Sequence, residues 1–135
     1  MTRREARELA FVLLFEKNFT DESVEQILQN AGEARGVEPD EFAMRLARGA
    51  EGRLGELDAL IDRYAHKWSQ KQLSRVALTL MRLAVYEMQY EEEIPVSVAI
   101  NEAVELAKKY GGEEEAAFIN GVLGGIARGA DEATV

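Results

Sequence analysis

The stretch TRREARELAFVLLFEKN, Thr2 to Asn18, decides the fold. Thr2 and Glu5 stand at capping-box spacing, in which each side chain serves a free helix N–H of the other residue. Leu9–Phe15 is a run of seven apolar residues. On a helix such a run leaves no polar face, so the helix belongs inside a bundle. Arg3, Arg4 and Arg7 precede it at helical-neighbour spacing and are expected close together on one side. The stretch reads as a buried helix with a basic tip. Arginines at a helix start can be merely solubilising. Positive charge there opposes the helix dipole, so the placement is locally unfavourable and mildly supports a function.

Outward from this helix, the chain continues in helical units. Ser23 and Gln26 repeat the capping box, and Val24, Ile27, Leu28 and Ala31 give a short amphipathic helix ending near Gly36. Pro39 is expected at the first helical position of the next, with Asp40 and Glu41 at its positive end. Phe42, Leu46, Ala50, Leu54, Leu57, Ile61, Tyr64 and Trp68 mark one stripe, too long for one ordinary helix, and the glycines divide it near Gly52. Residues 69–73 read as a connector. Ser74 caps a helix over Arg75–Gln89 that is again nearly apolar all round, a second central helix. Glu91–Glu93 reads as a solvated turn. Pro95 opens a helix that Gly111-Gly112 closes. A last helix carries Ile119, Val122, Leu123 and Ile126, with a frayed tail over 131–135. Nothing alternates with period two over a useful length, so the expectation is one all-α domain of about seven helices.

The 135 residues contain no cysteine, which excludes a disulfide framework and a thiolate metal site. A net charge of −9 argues against a general nucleic-acid binder and suits a basic protein partner. No run approaches the roughly 20 apolar residues of a membrane span, and the chain is expected to be cytoplasmic. His66 has no second histidine or spaced carboxylate cluster and reads as a surface or capping residue. There is no Gly-Lys-Ser/Thr phosphate loop, no Gly-x-Gly-x-x-Gly and no Gly-x-Ser-x-Gly. Gly121, Gly124 and Gly125 fall in a helical pattern, as close-packing or helix-ending residues. No catalytic seat, cofactor or metal is expected.

Residues 94–123 resemble the C-terminal signature of the transcription antitermination factor NusB family: Ile94-Pro95, Val98-Ala99-Ile100-Asn101-Glu102-Ala103, Glu105-Leu106-Ala107-Lys108 and Phe118-Ile119-Asn120-Gly121-Val122-Leu123. Arg82-Leu83-Ala84 with Tyr86-Glu87 is similar to a second family motif, and Arg3-x-x-Ala6-Arg7-Glu8-x-Ala10 to its arginine-rich first helix. Trp68 also falls where many members have Trp. The resemblance implies two small helical bundles sharing a central N-terminal helix, about 1–68 and 74–129 here. It implies a non-enzymatic factor that binds boxA leader RNA together with the ribosomal protein NusE. The complex joins RNA polymerase for read-through of ribosomal RNA operons. Some members dimerise, so a homodimer stays open.

Carried over by residue, the resemblance assigns Arg3, Arg4 and Arg7 to RNA. Arginine suits this by forking to phosphate and stacking on bases. Phe118 matches a family aromatic at the RNA surface. It lies at the edge of the Ile119–Val122–Leu123 stripe, where base stacking and core packing are both open. Lys108 is a candidate phosphate contact or an ion-pair partner of Glu105, and Asn101 and Glu102 are candidate internal ties. Arg82, Tyr86 and Glu87 are the candidate partner face. Glu113, Glu114 and Glu115 depart from the family's small polar run and weaken phosphate binding, so RNA alone is expected to bind weakly. Gln72 stands in place of a frequent Arg. The alternative is an acidic helical adaptor that holds a basic partner without touching RNA. An enzyme fragment, as where such domains are fused to RNA cytosine methyltransferases, lacks support in this chain.

Overall fold

A computed structural model describes residues 1–35, 40–65 and 73–133. Seven helices follow in order: α1 Arg3–Lys17, α2 Val24–Arg35, α3 Glu41–Glu51, α4 Leu54–Tyr64, α5 Arg75–Tyr90, α6 Val96–Tyr110 and α7 Glu113–Ala133. Among the described residues there is no strand.

Local chemistry sets most boundaries. Thr2 Oγ1 accepts from the Glu5 N–H at 3.0 Å, and Glu5 accepts from the Thr2 N–H at 2.9 Å. That backbone hydrogen bond holds the Glu5 carboxyl below its usual range. Ser23 and Gln26 form the same reciprocal pair. Asp40 accepts from the Ala43 N–H at 2.9 Å, so α3 begins at Glu41. Pro39, expected at the first helical position, therefore precedes the cap and lies outside the described residues. Gly52 closes α3, and α4 restarts at Leu54. Ser74 caps α5. Gly112, at φ 108°, sits in the left-handed region that favours glycine and turns the chain from α6 into α7. Asp131, Glu132 and Ala133, expected to fray, continue α7. His66, Trp68 and Gln72 lie outside the described residues.

α1 packs on α2, α3 and α5, while α5 packs on α1, α3, α4, α6 and α7. α5 is therefore the most enclosed helix, which is why Val76–Met88 needs almost no polar face. Buried Phe11, Leu13, Leu46, Ile61, Leu80, Met81, Ile119 and Leu123 belong to one continuous core. Two close approaches depend on glycine. A Cβ on Gly49 would run into the Tyr86 ring, and one on Gly129 into Tyr64. Gly125 also lies under Tyr64, whereas Gly121 faces open space and α7 runs through all of these positions. None of the described helices is long and apolar enough to cross a membrane.

Candidate nucleic-acid interface

The three arginines of α1 go three ways. Arg3 is exposed and lays its guanidinium 3.8 Å above the Phe42 ring centroid. Among the described residues, no carboxylate lies within ion-pair distance of it. Arg4 is also exposed, its side chain 66% accessible, and donates to Glu102 at 3.0 and 3.3 Å. The Glu102 carboxylate raises the Arg4 pKa further above its usual value. Arg7 is buried, and its Nε donates to buried Glu87 at 2.9 Å. The expectation of three arginines at one surface is corrected for Arg7. It stands one turn deeper than Arg3, on the stripe with Ala10, Phe11 and Leu14, where α5 covers it.

Side chains join α1 to α6 in three rungs. Arg4 meets Glu102, Glu8 meets Lys109 at 2.9 Å, and Phe11 meets Tyr110 with ring centroids 4.9 Å apart. Lys108 donates to Glu105 at 3.4 Å, one turn back along α6. This edge thus gathers Arg4, Lys108 and Lys109, each already holding a carboxylate. Asn101 is exposed there rather than an internal tie, while Glu102 is the tie to Arg4. Phe118 is half-buried on α7 and packs against the core. Glu113, Glu114 and Glu115 form the first turn of α7, where the helix dipole favours acidic side chains. Glu115 turns one oxygen inward against Gly111, where it is buried without a hydrogen-bond partner.

The candidate partner face on α5 is corrected. Tyr86 is buried against Gly49, and burial pushes its phenol pKa up. Glu87 is spent on Arg7. Arg82 is half-buried and forks both oxygens of Asp58 at 2.7 and 2.8 Å, with a 3.4 Å bond to Asn18. These three residues tie α5 to its neighbours, because a helix packed on five others has little surface left.

Glu102, Glu8, Lys109 and Tyr110 complete the edge. Arg4, Glu8 and Phe11 repeat at helical spacing on α1, which was a legible signal. Their mates on α6 lie about a hundred residues away and were not. Chemically, the edge offers exposed cations beside the exposed ring of Tyr110, which suits a strand carrying phosphates and flat bases. Phosphate must displace the carboxylates. Among the described residues, no group of three acidic or histidine side chains could hold a metal ion.

The family profile of the NusB family matches residues 4–128. The chain is similar to the transcription antitermination protein NusB of Clostridium botulinum (strain Loch Maree / Type A3), with 40% identity over 138 residues. That match covers 92% of this chain and 98% of the relative. Among solved structures, it is similar to T. maritima NusB, with TM-score 0.84 and 40% identity over 95% of this chain and 92% of that one. It is also similar to a chain in a crystal structure of antitermination factors NusB and NusE in complex with dsRNA. There the TM-score is 0.82 and identity 25%, over 94% of this chain and 96% of that one.

Proposed function

The chain belongs to the NusB family, and on that premise we propose that it is a non-enzymatic transcription antitermination factor that binds boxA-type single-stranded RNA together with NusE. In this reading it works in the cytoplasm, within the RNA polymerase antitermination complex that reads through ribosomal RNA operons. The halves about 1–68 and 74–129 act as one RNA-binding unit. Arg3, Arg4 and Lys108 hold phosphate, and Phe118 stacks a base. Arg7 serves from inside, by fixing the helix that carries the other two arginines. The observation that carries this assignment is the exposure of Arg3 and Arg4 on the first turn of α1, in a chain of net charge −9. The chain's acidity draws the basic partner by electrostatic complementarity. The partner's own cations then offset the weak phosphate affinity of an edge whose charges are mostly paired.

A gel shift with boxA-type RNA and the ribosomal partner tests the assignment. Arg4→Glu is expected to weaken the ternary complex about tenfold or more without changing thermal stability. Glu105→Gln, which frees Lys108, is expected to strengthen it. Equal affinity for wild type and Arg4→Glu would remove RNA from this edge. A second reading, a protein adaptor without RNA contact, is favoured by the pairing of Arg4, Lys108 and Lys109 with carboxylates. It requires salt-sensitive partner binding with no added RNA retention.

A further inference from the structure

On the side of the tip away from α6, α1 meets α3 at a ring surrounded by cations. Phe42 is buried, and three guanidinium groups stand around it: Arg3 at 3.8 Å from its centroid, Arg45 at 5.2 Å and Arg7 at 5.5 Å. All three lie within cation–π range. Two of the three charges are answered. Glu87 takes Arg7 at 2.9 Å, and Glu91 takes Arg45 at 2.7 Å. No carboxylate among the described residues lies within ion-pair distance of Arg3. Beside it opens a cavity of about 350 Å³, with Arg3, Asp40, Glu41, Phe42 and Arg45 in its lining. That volume is in the range that holds a small organic ligand.

The ring contact decides how Arg3 can be used. A guanidinium laid face-on over a ring keeps its other face and its N–H edge in reserve. Arg3 is exposed, so both are open to a ligand. A nucleotide uses both, its base stacking on the open face and its phosphate accepting from the edge. A carboxylate side chain uses the edge only. Charge narrows the choice further. A basic protein segment would meet three arginines, and an acidic one would meet Asp40 and Glu41 in the same cavity. One nucleotide brings a single negative charge and a flat neutral base. Asp40 is already spent on the α3 cap, while exposed Glu41 can accept from a base amino group. Continuity also favours RNA. Arg3 and Arg4 are neighbours on the first turn of α1, Arg3 reaching Phe42 on α3 and Arg4 reaching Glu102 on α6. A strand held at Arg4 therefore passes beside this cavity.

We propose that the cavity between α1 and α3 takes one nucleotide flanking the boxA-type core, its base stacked on the open face of the Arg3 guanidinium and its phosphate on the edge of that group. This deepens the RNA reading of the tip and rests on it. Phe42 is a positioning residue. It holds the guanidinium plane before RNA arrives, which lowers the ordering cost of binding. Arginine is required at position 3, because an ammonium group can hold a phosphate but offers no plane to a base.

The test uses the full chain with its ribosomal partner and three single-stranded RNAs: the boxA-type core, the core extended by several nucleotides at each end, and the same extension made of abasic nucleotides. Wild type is expected to bind the extended strand about tenfold more tightly than the core, in line with one stacked base. The abasic extension, which keeps the phosphates, is expected to forfeit most of that gain. Arg3→Lys keeps the charge without the plane, so the ratio of extended to core affinity is expected to fall to the abasic value. Phe42→Leu keeps an apolar contact without the ring and is expected to lower the same ratio. If its thermal melt shows misfolding, Arg3→Lys, at an exposed position, decides alone. A ratio retained in Arg3→Lys, or an abasic extension that binds like the intact one, overturns the proposal. Partner binding without RNA that is lost in Arg3→Lys overturns it in favour of a protein contact. Free mononucleotide is expected to compete poorly, since it lacks the effective concentration of a tethered one; if it abolishes the gain at the concentration of the RNA, the strand is not the occupant. Core binding without a gain from the extension removes the cavity contact alone, and wild type binding no strand removes the tip reading as well.

Discussion

At the residue scale, Arg4 and Arg7 carry the same group to opposite ends. Arg4 faces solvent and is held lightly by Glu102. Arg7 is sealed with Glu87, at side-chain exposures of 6% and 2%. Truncating one partner strands the other charge in the core, which costs about 3–5 kcal/mol. Arg7→Ala is therefore expected to lower stability in urea unfolding by that amount, whereas Arg4→Ala stays within about 0.5 kcal/mol of wild type. Arg7→Met with Glu87→Leu recovers most of the loss, because a packed apolar pair needs no desolvation of charge. Burial raises the Glu87 carboxyl pKa, outweighing the pull of Arg7. The folded chain thus holds that proton more tightly than the unfolded chain, so this group favours folding increasingly as pH falls through the carboxylate range. The contribution is lost as pH rises through the folded value. Glu87→Gln removes this slope, and the stability gap between wild type and variant is expected to shift in favour of wild type from pH 7 toward about pH 4.5. An unchanged gap would contradict the desolvated state of Glu87. The sequence held a clue to this pair: Arg7 lies on the Ala10–Phe11–Leu14 stripe, and Glu87 interrupts an otherwise apolar helix. The arginine-rich pattern drew the opposite reading, because spacing shows which residues are neighbours and not which side the core takes.

At the element scale, helix identities were legible because local rules and burial agree. The Thr2–Glu5 box, Ser74 and Gly52 each fix a boundary by satisfying or freeing backbone groups within a few residues. Pro39 misled because Asp40 is the better cap, accepting from Ala43. The enclosed position of α5 also emerges from sequence, in its nearly all-apolar composition. Its consequence for Arg82, Tyr86 and Glu87 did not, since motif residues read as surface until their neighbours are known. Glycines give the sharpest element-level contrast. Gly121→Ala, mid-helix and facing open space, is expected to stabilise by about 0.5–1 kcal/mol. Gly49→Ala must displace the buried Tyr86 ring and is expected to destabilise by about 1–3 kcal/mol. Thermal melts of the two variants check both signs. A rise for Gly49→Ala would mean that α3 and α5 are not in the close contact described.

At the scale of the whole molecule, the fold makes one core serve a surface of unlike ends. α1 carries an arginine tip and a ring chain that ends at Phe19, while carboxylates elsewhere bring the chain to −9. Most exposed cations at the α1–α6 edge are already paired, so in the proposed reading RNA gains affinity only by exchanging carboxylates for phosphate. Binding by the chain alone is therefore expected to be weak, and a basic partner is expected to change the balance by adding cations beside the strand. The most direct measurement is the affinity of one fluorescently labelled boxA-type RNA for this chain, taken with and without the ribosomal partner over a range of salt. The expected result is a gain of at least tenfold with the partner, a salt slope steeper than for the chain alone, and loss of the gain in Arg4→Glu. Affinity unchanged by the partner, or a gain that survives Arg4→Glu in full, would contradict the account.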